Sequence, residues 1–332
     1  MIIRVRSARR LLLLALAGMA HEACAVSDAI FPANFEAAPD CSSIGRIGCP
    51  GFTIETPAQE IAPGEEVTFC YYFRTPNVAA IGIGRFASTF DPLIADVVVY
   101  TTFDSMDQPK DLQPPGTMAS SGCGSFGPDR TDRIYSTHEP VESLRMPDDD
   151  GAGNPVALEL LANAAGFIRM HYLNTTDAPI IAAPVRLSAN GLATGVAYTK
   201  TATFTTFKGS FSVPPLSVSS VSDSCVVPDS VKFWWFSTHT HRHATLAKAG
   251  KGAQTIVTTT DWEHPAIAKL STSPFYPFAM GETLTYACDY ANDTAATITA
   301  GESYQTDENC SAIGYFFPAV KARFCYDHTV LP

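Results

Sequence analysis

The sequence predicts an all-β chain of two antiparallel jelly-roll (β-sandwich) domains in tandem. Three observations carry that expectation. Gly (22) and Pro (24) are frequent in 332 residues while only 17% are charged, the mix of many short strands joined by turns. Hydrophobic residues make up 46%, enough for the cores of one large or two ordinary domains. Runs rich in β-branched and aromatic residues recur between Gly, Pro, Asn and Asp, among them EEVTFCYYF, ADVVVYTTF, GFIRMHYLN and KFWWFSTHTH.

In chain order, residues 1–25 come first. Arg4, Arg6, Arg9 and Arg10 lead into LLLLALAGMA and then small residues at Ala23 and Ala25, the pattern of a secretory signal peptide cleaved after Ala25. A competing reading makes Cys24 a lipidated anchor, but His21 and Glu22 stand where a lipoprotein signal carries small or aliphatic residues. No later run approaches eighteen apolar residues, so no transmembrane segment is expected. Residues 26–216 form the first predicted domain. Its strands read EEVTFCYYF, ADVVVYTTF, GFIRMHYLN, APVRLSA and ATFTTFKGSFSV, and only NPVALELLANAA, Asn154 to Ala165, has an arguable helical period. SVPPLSVSSVSDS, Ser212 to Ser224, is rich in Pro and Ser and nearly uncharged, which suits a linker and sets a boundary near residue 217. Residues 217–332 form the second domain, with KFWWFSTHTH, QTIVTTTDW, ETLTYACDY and AIGYFFPA as strands.

Cleavage after Ala25 would leave 18 Lys and Arg against 32 Asp and Glu, a net charge of −14. Nucleic acid is an unsuitable partner, because phosphate binding needs the opposite sign. Eight cysteines would remain: Cys41, Cys49, Cys70, Cys123, Cys225, Cys288, Cys310 and Cys325. An even count in an exported chain argues for four disulfides, and the boundary near 217 divides them four and four. Eight cysteines alone allow 105 pairings.

Most motifs read as ordinary structure. GCGSFG, Gly122 to Gly127, follows no clear strand and runs into Pro128, so it is a turn rather than a dinucleotide loop. DDDGAGNPVALE, Asp148 to Glu159, has acidic residues at calcium-loop offsets, but Ala152 and Pro155 break the pattern and it reads as a polar turn. No G-x-S-x-G occurs. The histidines of STHTHRH differ. On a strand, residues i and i+2 share a face at about 6.6 Å, so His239 and His241 could converge on one ion, whereas His243 lies about 13 Å from His239 unless the strand bends. The alternative is a polar strand face, with Trp234, Phe236 and Leu246 packing on the other side.

STHTHRHA is followed by DWEHP, GETLTYACDYANDT and GESYQTDENCSAIGYFFPA. This order resembles the C-terminal domain of the copper type II, ascorbate-dependent monooxygenases, the family of peptidylglycine α-hydroxylating monooxygenase and dopamine β-hydroxylase. FTIETPAQEIAPGEEVTFCYYF and FIRMHYLNTT are similar to its N-terminal strands. The resemblance implies two jelly rolls with a copper site on each, facing one another across a solvent cleft. It implies copper ligands His239, His241 and His171, with Asn309 in the place of a methionine ligand and Ala95 and Asp96 in the place of two histidines. It also implies disulfides Cys70–Cys123, Cys288–Cys310 and Cys225–Cys325, leaving Cys41–Cys49.

Two functions follow as expectations. One is a secreted copper protein that hydroxylates a C–H bond of an unidentified small-molecule or peptide substrate, with O2 and a reductant such as ascorbate, at a copper completed by Asn309, His243 or water. The other keeps the fold without that chemistry, as a metal-binding or extracellular scaffold or interaction protein. A variant of the first puts a harder metal on Asp96 and His171, and Met280 is a candidate thioether.

Overall fold

The computed structural model describes residues 51–123 and 130–331, together with a two-residue strand at Glu36–Ala37. The signal-peptide reading, Cys24, the Cys41–Cys49 pair and most of the Gly122–Gly127 turn lie outside the described residues. The strands of four residues or more are β1 Gly51–Glu55, β2 Glu66–Arg74, β3 Ile81–Thr89, β4 Ile94–Thr102, β5 Thr131–Thr137, β6 Val141–Arg145, β7 Val156–Leu160, β8 Ala165–Leu173 and β9 Arg186–Gly191, then β10 Thr199–Phe207, β11 Ser217–Val226, β12 Val231–His239, β13 Ala244–Lys251, β14 Gln254–Thr259, β15 Thr283–Asn292, β16 Ser311–Phe317 and β17 Arg323–Tyr326.

The chain is all-β and its strands stack as β-sandwiches in tandem; no helix occurs among the described residues. In the first half, β1, β9, β3 and β7 face a second sheet ordered β2, β8, β4, β5. In the second half, β10, β16 and β12 face a sheet ordered β11, β15, β13, β14. One sheet runs through both halves, because β10 pairs in parallel with β7 at Val156↔Thr199 and antiparallel with β16 at Ala202↔Phe316. Each half has its own core. Ile54, Ile83, Phe86, Val97, Ile168 and Tyr135 anchor the first, and Phe204, Phe233, Phe236, Leu284 and Tyr290 the second. Trp234 and Tyr315 belong to the first core although their strands lie in the second half, so apolar packing also spans the junction.

Among the described residues three disulfides are formed: Cys70–Cys123, Cys225–Cys325 and Cys288–Cys310. They are the three pairs implied above for the described residues. No helix among the described residues is long and apolar enough to cross a membrane.

Two local expectations change. Asn154–Ala165 is not helical: Val156–Leu160 is a strand buried between β3 and β10, where main-chain ladders on both sides outweigh the helix preference of its Ala and Leu residues. The Pro/Ser-rich segment read as a linker is largely strand. Ser217–Val226 pairs with β15 over ten residues, and exposure alternates from Ser217 to Ser222 because successive side chains of an outermost strand point to opposite faces. The polar turn at 148–155 is as expected. Asp149 Oδ1 accepts the Gly151 and Gly153 amides, and Asp150 Oδ1 accepts those of Ala152 and Asn154.

Candidate functional site

The candidate residues meet where the β2–β8–β4 sheet faces the end of β12 and the segment 301–309. On β8, Arg169 and His171 stand two apart and share a face, and His171 lies opposite Asp96 of β4. Arg169 Nη1 donates to Asp96 Oδ1 at 2.8 Å, with both side chains almost fully buried. Tyr304 Oη donates to Asp96 Oδ2 at 2.7 Å. Burial alone would raise the Asp96 carboxyl, but the Arg169 charge and then His171, His239 and His138 together outweigh burial and hold it well below the usual carboxylate range.

Glu66, at the start of β2, is the second anchor. Its Oε1 accepts His171 Nε2 at 2.9 Å and the Tyr304 amide at 2.6 Å, while Oε2 accepts Ser303 Oγ at 2.7 Å and Gln305 Nε2 at 3.2 Å. One carboxylate of the first half thus takes three donors from the second. The other imidazole nitrogen, His171 Nδ1, lies 3.3 Å from Arg169 Nη2, which can only donate, so Nδ1 accepts and Nε2–H is the donor to Glu66. Burial would raise the Glu66 carboxyl, but the hydrogen bonds from His171, Ser303 and Tyr304 lower it to about 2.

The Glu66 value lies below its ordinary 4.5, so the stabilisation it supplies is complete above pH 4.5 and is lost as the pH falls toward 2. The Glu66→Gln variant, which keeps an acceptor and loses the charge, is expected to show a flatter decline of unfolding free energy over that window. Urea titrations at successive pH values would check this, and parallel wild-type and variant curves would contradict it.

Tyr304 fills the space where the resemblance implied a solvent cleft. It is 1% exposed, and its ring centre lies 4.2 Å from that of His241, 4.7 Å from His171, 5.6 Å from Trp262 and 5.8 Å from His239. Burial and then the Asp96 charge push its hydroxyl pKa well above the usual range, so it remains a donor. Cys310, disulfide-bonded to Cys288, fixes the end of the segment that carries it.

His239 closes β12 and His241 sits in the corner where the chain passes to β13, their ring centres 5.3 Å apart. His138 Nδ1 faces the Ala95 carbonyl at 3.1 Å and must donate to it, so its Nε2 accepts from His239 Nδ1 at 3.1 Å. His241 Nδ1 donates to the Asp307 carbonyl at 3.1 Å. Both His239 and His241 therefore carry their proton on Nδ1 and keep an Nε2 lone pair. Burial lowers all three imidazoles. His239 falls well below its ordinary value, with His138 and His241 adding to the effect, and His241 falls to about 4.

The strand does bend after His239, yet His243 turns to another partner. Glu308, fully buried, accepts the amides of His241 and His243 at 3.0 and 2.7 Å and lies 3.2 Å from His243 Nδ1. Burial raises its carboxyl to about 7 against those N–H groups. Asn309 is also buried, with Oδ1 accepting Ser311 Oγ at 2.5 Å. Asp96 and His171 are committed to Arg169, Tyr304 and Glu66, and Met280 is exposed.

The structure thus brings His239 and His241 together and places His171 and Asn309 nearby with protein partners of their own. Sequence reading missed Glu66, His138, Arg169, Tyr304 and Glu308. Arg169 was within reach, since R-x-H on a strand puts both side chains on one face; Tyr304 carries no local signal.

These findings correct the resemblance to the copper type II, ascorbate-dependent monooxygenases. Among the described residues no three His, Cys, Asp or Glu side chains group to hold a metal ion. The expectations of copper, ascorbate and C–H hydroxylation lose their basis with the family. No family model and no curated protein matches the chain. Solved structures match at low similarity. The major capsid protein P2 from bacteriophage PM2 is 9% identical with a TM-score of 0.33, over 80% of this chain and 97% of that one. The STIV MCP is 8% identical with a TM-score of 0.33, over 85% and 95%. VP54 of PBCV-1, fitted into a reconstruction of the virophage Sputnik, is 9% identical with a TM-score of 0.23, over 86% and 94%. Likenesses of this size carry no inference about what the chain does.

Proposed function

We propose that this protein is an extracellular scaffold or interaction protein, a disulfide-braced pair of β-sandwiches whose buried polar cluster locks its halves together and whose outward strands meet its partners. The observation that carries this reading is the mutual commitment of the cluster. Glu66 takes Ser303, Tyr304 and Gln305 from the other half, and Asp96 takes Arg169 and Tyr304, so the charged groups are spent on holding the fold. The disulfides suit an oxidising compartment. β11 is the outermost strand of its sheet, with Asp223 as its one charge and Val218 and Val226 exposed, and such an edge offers main-chain groups for pairing.

On this reading the imidazole pair is dispensable and the outer strand is not. Cells lacking the protein would be complemented with either a His239→Ala/His241→Ala chain or a Val218→Lys/Ser220→Lys chain, each exported with its disulfides intact. The first is expected to restore the wild-type phenotype and the second to fail. Failure of the histidine variant at wild-type export levels, or full rescue by the lysine variant, would overturn the proposal.

A further inference from the structure

A small cavity of about 20 Å³, room for one water-sized species, opens beside the cluster between β5 and the start of β16. Arg133, Ser136, Asn309 and Ser311 are among its wall residues. The Arg133 guanidinium makes no hydrogen bond or ion pair with the described residues, and its Nε is buried without a partner. Arg133 as a whole is half-buried, but its Nε is withdrawn from water with no acceptor, which is costly, so the site calls for a counter-charge.

The protein's own carboxylate on that wall does not supply it. Asp96 gives one oxygen to Arg169 and the other to Tyr304, and its charge is matched by Arg169. His138 Nε2 accepts from His239. Of the remaining wall groups His239 keeps its Nε2 lone pair, while Arg133, Ser136 and Asn309 offer donors. Ser136 Oγ has no hydrogen-bond partner among the described residues, and Asn309, whose Oδ1 is taken by Ser311, keeps its amide N–H groups. One unbalanced cation, a hydroxyl and an amide around a space of one water form a receptor for one negative charge of small radius.

We propose that this cavity binds a single small monovalent anion, halide in size, held by the Arg133 guanidinium with Ser136 and Asn309. The anion completes the charge balance of the buried cluster, and it does not depend on the scaffold reading.

Two measurements on the full chain test this. Crystals of the wild-type protein grown in sodium bromide are expected to show an anomalous peak in contact with the Arg133 guanidinium; a water there, with no peak, overturns the proposal. In thermal melts at equal ionic strength, sodium chloride is expected to raise the wild-type Tm above that in sodium gluconate, increasing with the logarithm of chloride concentration once the site fills. Arg133→Gln is expected to abolish the difference, and an equal response in that variant overturns the assignment. Should Arg133→Gln fail to fold, the bromide map of the wild-type chain decides alone.

Discussion

Replacing Tyr304 by alanine is expected to lower the unfolding free energy by about 3–5 kcal/mol, the range for deleting a fully buried aromatic ring. The ring contacts His171, His239, His241 and Trp262, so its removal opens a hole walled by polar groups from both halves. It also strips Asp96 of one of its two donors. Tyr304→Phe separates the two effects. It keeps the packing and loses a hydrogen bond to a charged group, which is worth about 1.5–3 kcal/mol. Urea unfolding followed by tryptophan fluorescence would measure both. A Tyr304→Ala protein within about 1 kcal/mol of wild type, the ordinary size of a single-residue effect, would show that the segment 301–309 does not lock the halves.

Arg169→Met is expected to cost a comparable amount, about 3–5 kcal/mol, for a different reason. Its pairing with Asp96 is almost wholly buried, so methionine leaves a carboxylate out of water with only the Tyr304 hydroxyl for company. His171 Nδ1 loses the Arg169 donor as well. Combining Arg169→Met with Asp96→Leu removes both charges at once and is expected to cost clearly less than the sum of the single changes, because neither charge is then stranded. A double-mutant cycle reads this directly. Additive costs would mean that the two groups do not depend on one another.

How much of this was legible in the sequence varied with the range of the interaction. Strands such as KFWWFSTHTH and ETLTYACDY were readable because β-branched and aromatic runs between turn residues respond to local backbone preference. His239 and His241 do lie side by side, but the strand ends at His239 and the corner that follows it, not a shared strand face, sets their rings together. Asn154–Ala165 misled because its local preference favours helix while neighbouring strands impose extension. The segment after Ser212 misled because Ser and Pro suggest a linker, whereas ten continuous pairings with a neighbouring strand hold it extended. Tyr304 and Glu66 were beyond reach: they lie 238 positions apart, and only the folded arrangement brings the carboxylate to the amide. The order of motifs after His239 pointed to a metal-holding family. Its site residues turned out to have protein partners that no short pattern encodes, Glu66 for His171 and Ser311 for Asn309.

Strand β10 bears on how this molecule can move. Its first residues pair with β7 and its last, Phe204–Phe207, with β17, while β16 lies along the other side. A hinge needs a stretch of chain whose torsions can swing without breaking a ladder, and the route from one half to the other runs inside a sheet. Rotating the halves would tear main-chain bonds rather than bend a loop. Limited proteolysis should report the same rigidity: a cut between Phe207 and Ser217 would sever the backbone and leave two pieces that migrate as one until denaturant parts them.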